Sequence, residues 1–277
     1  MKKILFLLLI STTGFAQTQK SCCSVSSTEK FSLLASNDKF VSSHLAPLPF
    51  VFSPAKGTMV SYKTDDGKTA GAFEVKADKP TSSWIIMVHE WWGLNDYIKK
   101  EAEKLQGEVG NANVLAIDLY DGKVGTTPDE AKGLMSGLKD ERSVSIIKGA
   151  IDYCGKNARI SSMGWCMGGG WSLQASLLAG DKAIACVMYY GMPETNLDKL
   201  KRLHAPVLGL FAGKDEWINA KVVSTFQSDM KTAGKKLTVK TYDADHAFAN
   251  PSNPKYDKVA AADAHKEALA FLKEHLK

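Results

Sequence analysis

Beyond about residue 57, short apolar runs alternate with longer amphipathic stretches. The runs at 58–63, 69–75, 84–88, 113–119, 160–164, 184–189, 207–212 and 237–242 predict strands. The stretches at 96–107, 128–138, 140–155, 167–179, 219–232 and 256–275 predict helices. Strands and helices in this alternation fold into an α/β domain, a mostly parallel sheet with helices on both faces. In the last helix Tyr256, Val259, Ala262, Leu269, Leu272 and Leu276 recur at spacings that suit one buried stripe.

The first residues follow a different pattern. Lys2 and Lys3, the apolar run Ile4 to Ile10, and the small-residue stretch ending at Ala16 have the three regions of a secretory signal peptide, residues 1–16. The apolar run is far shorter than the ~20 residues a membrane-spanning helix needs, so no permanent span is expected. The expected location is periplasmic or secreted. Residues 17–57 mix Ser, Thr, Asn and Pro with short apolar patches and read as an extension packed loosely on a domain at 58–277. Within it lies Cys22-Cys23. Gln19-Lys20-Ser21 lacks the apolar residue expected three places before a lipidated cysteine, and a vicinal or intermolecular disulfide is the alternative in an oxidising compartment.

Length and charge narrow the class further. A chain of 277 residues suits one large α/β domain with a leader. The formal net charge of +5 falls to +3 without Lys2 and Lys3, and no basic stripe clusters along the chain, which argues against a nucleic-acid partner.

The chemistry concentrates at Gly164-Trp165-Cys166-Met167-Gly168-Gly169-Gly170, between a predicted strand and a predicted helix. In that context G-x-C-x-G is a nucleophile elbow with cysteine in place of the usual serine. Such a turn strains the backbone and requires small neighbours, which Gly164 and Gly168 supply. The following helix aims its free N–H groups at the sulfur, favouring thiolate. Taken alone, the window fits a glycine-rich turn with a buried cysteine equally well. The downstream residues favour the elbow. Asp215 follows the strand-like run Val207 to Ala212, and His246 follows the run Leu237 to Tyr242. Both fall beyond strand carboxyl ends, in the order nucleophile, acid, histidine. The expected triad is Cys166, His246 and Asp215.

The rival residues have simpler roles. His44 lies in the polar N-terminal segment, His265 and His275 suit a solvated helix face, and His204 precedes Ala205-Pro206 on a strand approach as a structural residue. Asp243 and Asp245 are too close in sequence to His246 to orient it easily, and suit a turn. His89-Glu90 is no zinc motif, because H-E-x-x-H needs histidine where Gly93 stands. Cys154 and Cys186 read as buried thiols.

From about Thr58 to Lys277 the chain resembles the dienelactone hydrolase family of α/β-hydrolases. The matching segments are the elbow, His89-Glu90-Trp91-Trp92-Gly93-Leu94-Asn95, Asp118-Leu119-Tyr120 and His246-Ala247-Phe248. The resemblance implies that Glu90 interacts with the resting thiol and helps switch it to thiolate. It also implies an oxyanion hole made by the backbone N–H groups of Trp91 and Met167. Hydrolysis of a small ester or lactone through a thioester is the implied reaction, with no metal or organic cofactor. A non-catalytic or thiol-redox protein on the same fold is the alternative.

One family feature is missing. Family members clamp a substrate carboxylate with two arginines, and the corresponding positions here hold Gly122 and Asn250. Neither can make the bidentate pair of an arginine. Lys123 could offer a point charge, while Trp91, Trp92 and Trp165 put aromatic bulk near the elbow. Lys123, Trp92 and Asn250 are therefore the candidate substrate-binding residues, and a neutral or weakly acidic ester is the expected substrate.

Overall fold

A computed structural model of the chain describes residues 26–277. The expected signal peptide and the Cys22-Cys23 pair lie outside the described residues. The elements run α1 (Ser27–Ser32), α2 (Asp38–Ser43), β1 (Thr58–Lys63), β2 (Thr69–Val75), β3 (Ser83–Val88), α3 (Asp96–Val109), β4 (Asn113–Ile117), α4 (Pro128–Gly137) and α5 (Asp140–Tyr153). They continue with β5 (Arg159–Trp165), α6 (Met167–Ala179), β6 (Ala183–Tyr189), α7 (Leu197–Leu200), β7 (Val207–Ala212), α8 (Ala220–Thr232), β8 (Leu237–Tyr242) and α9 (Lys258–His275).

The eight strands form one sheet in the order β1-β2-β4-β3-β5-β6-β7-β8. Only the β1–β2 and β2–β4 pairs are antiparallel; from β4 to β8 all neighbours are parallel. Strands β3, β4 and β7 are buried at every residue, as a sheet covered on both faces requires. The covering helices come in packed pairs, α3 with α9 and α5 with α6. This is the mostly parallel α/β sheet expected from the alternation, and it fits the α/β-hydrolase fold that the resemblance implies. The parallel run matters for the site, because it puts the carboxyl ends of β3, β5, β6, β7 and β8 along one edge.

Two expectations about packing change. The buried stripe of α9 is Ala260, Ala261, Ala264, Ala268 and Leu272, whereas Val259 is 81% exposed and Tyr256 and Ala262 also face outward. Small residues win because α9 lies close on β6, where the Tyr189 hydroxyl donates to the Ala264 carbonyl. Larger side chains at those positions would hold the helix away.

The N-terminal segment is also more firmly held than its polar composition suggests. Phe31, Ala35, Phe40 and His44 are buried. The Phe40 ring lies 5.5 Å from that of Trp91 and 5.0 Å from that of Trp217. Ser26 and Thr28 hydroxyls donate to Asp140, the Phe52 N–H donates to Asp96, and the Lys56 and Gly57 N–H groups donate to Glu103. A few apolar anchors and carboxylate acceptors on the domain tie down a segment whose own sequence is mostly polar. Phe40→Ala is expected to lower stability by ~3–5 kcal/mol, the usual cost of removing a buried phenylalanine. Urea unfolding measures this, and an unchanged midpoint would mean that the segment contributes nothing to the core.

Candidate active site

The elbow forms where β5 turns into α6. Cys166 has φ 57° and ψ −121°, in the left-handed region that side chains rarely adopt. Its N–H donates to the Tyr189 carbonyl at the end of β6, which helps fix the turn. A Cβ on Gly164 would stand 2.2 Å from the Gly168 carbonyl oxygen, and one on Gly168 would stand 2.3 Å from that of His89. Neither contact is tolerable, so glycine at both positions is a packing requirement as well as a turn preference. The result sets Cys166 at the N-terminus of α6.

Three side chains converge on this turn from separate strand ends. Cys166 Sγ lies 3.3 Å from His246 Nε2, and His246 Nδ1 lies 2.5 Å from Asp215 Oδ2. Asp215 Oδ1 accepts the N–H groups of Trp217 and Ile218 at 2.9 Å each, which fixes the carboxylate. Burial alone would raise the Asp215 pKa, but His246 and the two amides bring it below the usual range. Burial works against charge on His246 too, yet Asp215 foremost and then Cys166 raise it well above an ordinary imidazole. Burial pushes the Cys166 thiol up, with His246 opposing. The group can therefore pass one proton between Sγ and Nε2 while Asp215 stabilises the imidazolium.

Glu90 stands at the end of β3 beside this group. Burial raises its carboxyl from the ordinary 4.5 to about 7, against the opposing effect of His246. Its hydrogen-bond partners are the Tyr190 hydroxyl at 3.4 Å and the Asn250 side-chain amide, and its charge acts on the Cys166 thiol, raising it. Asn250 is thus engaged with Glu90, and its Oδ1 accepts from Ser252. The turn after Glu90 closes through a Gly93 N–H to Glu90 carbonyl bond, and no backbone carbonyl accepts the Trp91 N–H among the described residues. His89 is a structural clamp: Nδ1 donates to the Glu90 carbonyl, and Nε2 accepts the Leu119 N–H at 3.1 Å. It joins the ends of β3 and β4 in its neutral form, which burial favours.

A cavity of about 590 Å³ reaches Glu90, Asn250, Trp92 and Trp165. Lys123 is exposed and absent from its wall, because its loop turns a backbone carbonyl, not the side chain, towards Gly93. Cys166 and His246 are buried behind the wall. Of the remaining histidines, His265 lines the same cavity and pairs with Glu101 and Glu108, His204 pairs with Asp181 at the surface, and His275 bonds a carbonyl of its own helix. Cys154 and Cys186 are buried free thiols.

Sequence reasoning missed three contributors. Tyr190, with φ 36°, bonds Glu90 and lays its ring 5.1 Å from that of His246; its place after β6, beside the elbow strand, is the signal that would have found it. Phe40 and His44 of the N-terminal segment also contact the His246 ring, at 6.1 Å and 5.4 Å. Their i, i+4 spacing marks a helix face but gives no hint of what that face meets.

The comparisons with known proteins agree with this architecture. The model of the dienelactone hydrolase family matches residues 71–276. A Saccharolobus solfataricus protein provisionally named carboxymethylenebutenolidase is 31% identical over 252 residues, spanning 75% of this chain and 95% of that one. Protein usf of Aquifex pyrophilus is 30% identical over 234 residues, spanning 79% of this chain and 99% of its own. Among solved structures, a dienelactone hydrolase-like promiscuous phosphotriesterase from metagenomic libraries superposes with a TM-score of 0.70 at 18% identity, over 80% of this chain and 99% of that one. That last likeness speaks for the fold alone. With a family match across most of the chain and the elbow at the heart of the matched region, this chain belongs to the dienelactone hydrolase family.

Proposed function

We propose that the protein hydrolyses small esters or lactones with Cys166 as nucleophile, His246 as proton carrier and Asp215 as the acid that orients it. The observation that carries this reading is the hydrogen-bonded relay from Sγ to Nε2 and from Nδ1 to a carboxylate, mounted on a strained elbow at a helix N-terminus. The sulfur adds to the carbonyl carbon, and the Trp91 and Met167 N–H groups hold the oxyanion. The alcohol leaves with the proton from His246, producing a thioester. Water then attacks the thioester, giving a proton to His246, and the thiolate departs. Ionised Glu90 lies beside the relay and favours the His246 imidazolium that forms when the thiol proton passes to Nε2. The chain would act outside the cytoplasm, on the strength of its leader-like first residues.

The substrate is expected to be neutral. Trp92 and Trp165 give the cavity an aromatic wall, and the Glu90–Asn250 pair occupies the place of one arginine of the clamp. A substrate carboxylate placed there would meet a carboxyl group rather than a guanidinium. Neutral esters should therefore show higher kcat/KM than anionic lactones of matched size and reactivity, with the ratio unmoved by Lys123→Ala. An anionic preference that disappears in that variant would reinstate Lys123 as the anion site.

Cys166→Ala is expected to lower kcat/KM for an activated aryl ester by a factor on the order of 10³ or more, with the unfolding midpoint nearly unchanged. Mass spectrometry of the wild-type chain should trap an acyl group on Cys166. Retained turnover in the variant would eliminate this nucleophile, and a wild-type chain with no burst would favour a non-catalytic or thiol-redox role.

Glu90 links activity to stability. Its folded pKa of about 7 exceeds the ordinary 4.5, so the stability it contributes is complete below 4.5 and is lost as pH rises to about 7. Glu90→Gln removes that loss and should stabilise the fold above pH 7, by about 3 kcal/mol at most. The wild-type kcat/KM should rise as pH passes about 7 and Glu90 ionises, and the glutamine variant should lack this limb. Denaturant titrations and pH–rate profiles of both proteins test the two effects, and identical profiles would remove Glu90 from the mechanism.

A further inference from the structure

His44 is buried in the wall of the site, and the relay does not use it. Its Nδ1 lies 2.7 Å from the Phe40 carbonyl oxygen, four residues back on its own helix, so Nδ1 carries the proton and donates. Nε2 is then a lone-pair acceptor, and this atom is buried with no hydrogen-bond partner among the described residues. An unpaired buried acceptor costs ~1–3 kcal/mol. An apolar ring would avoid that cost while keeping the contacts with Phe40, at 4.2 Å between centroids, and Trp91, at 5.0 Å. The geometry points to a ligand for the lone pair.

The neighbours indicate which ligand. One ligating atom from each of His44, Cys166 and His246 lies within 4.8 Å of the other two. His246 repeats the arrangement of His44, with Nδ1 held by an oxygen and Nε2 left for the site. Imidazoles that bind metals are oriented in this way, through an oxygen on the other nitrogen. One thiolate and two imidazoles suit zinc and similar thiophilic ions, and not magnesium or calcium, which prefer oxygen. Tetrahedral zinc with bonds of ~2.0–2.3 Å sets its ligand atoms ~3.3–3.8 Å apart. The Sγ–Nε2 separation to His246 is already 3.3 Å, leaving a modest inward shift for His44.

We propose that His44, Cys166 and His246 form a three-ligand site for a thiophilic divalent metal ion, zinc foremost, which reversibly blocks the nucleophile. On binding, the Cys166 S–H bond breaks, its proton leaves to solvent and the sulfur's electron pair forms the metal bond. No oxidation state changes, and the fourth metal position is left for water. The block rests on Cys166 being the nucleophile; the metal binding itself does not.

Cobalt(II) is the probe, because a four-coordinate cobalt thiolate has a near-ultraviolet charge-transfer band that needs no enzyme turnover to be seen. The full chain is titrated reduced and without oxygen, in a Cys22→Ser, Cys23→Ser background that removes the other thiols near the N-terminus. One equivalent should bind with that band, and zinc should displace it. His44→Phe, which keeps the aromatic packing, should weaken binding by more than the roughly 10–100-fold cost of losing an outer-shell partner. His44→Cys should restore one equivalent with a stronger thiolate band. If circular dichroism shows His44→Phe misfolded, His44→Asn replaces it. No thiolate band in the starting protein, or equal affinity in the His44 variants, would overturn the site. Ester turnover by the metal-free protein tests the hydrolase reading separately, so the two failures can be told apart.

Discussion

The close approach of three backbone segments controls this site. The end of β3, the end of β5 and the first turn of α6 come together so tightly that the carbonyls of Val88, His89 and Gly168 leave no room for a Cβ on Gly164 or Gly168. That contact forces Cys166 into its left-handed conformation and turns the sulfur towards the N-terminus of α6. It also brings Glu90, on the loop after β3, alongside the elbow. Relaxing it would separate Cys166 from His246 and Asp215 at once, because each is fixed to a different strand end.

Burial sets the electrostatics on that scaffold, and local partners correct it. Glu90 and Cys166 are both pushed towards their neutral forms, while Asp215 is held ionised by His246 and two backbone amides. The two carboxyl groups thus differ in charge because one has an imidazole and two backbone amides as partners and the other only a hydroxyl and a side-chain amide. His89 and His44 are kept neutral by the same burial, and their ring hydrogens are committed to backbone carbonyls. The site therefore contains several imidazoles and carboxyls with separate duties, distinguished by their hydrogen-bond partners.

The N-terminal segment closes one side of the site. Helix α2 and the residue that caps it set Phe40 and His44 against Trp91 and His246, so His246 is covered by a part of the chain that the family match does not include. The cavity reaches Glu90 and Asn250 from another side.

The sequence alone determined the parallel sheet, its eight strands and the six longer helices among the described residues, but not the short α1, α2 and α7, and it named Cys166, His246 and Asp215 as the expected triad. It could do so because these depend on local periodicity, on glycine spacing in a strand-to-helix turn, and on which side chains follow strand ends. Tertiary structure alone decided the partners of Glu90, the alanine face of α9, the distance of Lys123 from the cavity, and the place of Phe40 and His44. Those depend on contacts between residues far apart in the chain. Asn250 meets Glu90 across 160 positions, and no local pattern records such a meeting. A polar-looking segment can hold a buried histidine beside Cys166 and His246 because a few aromatic anchors, not its average composition, decide where it packs.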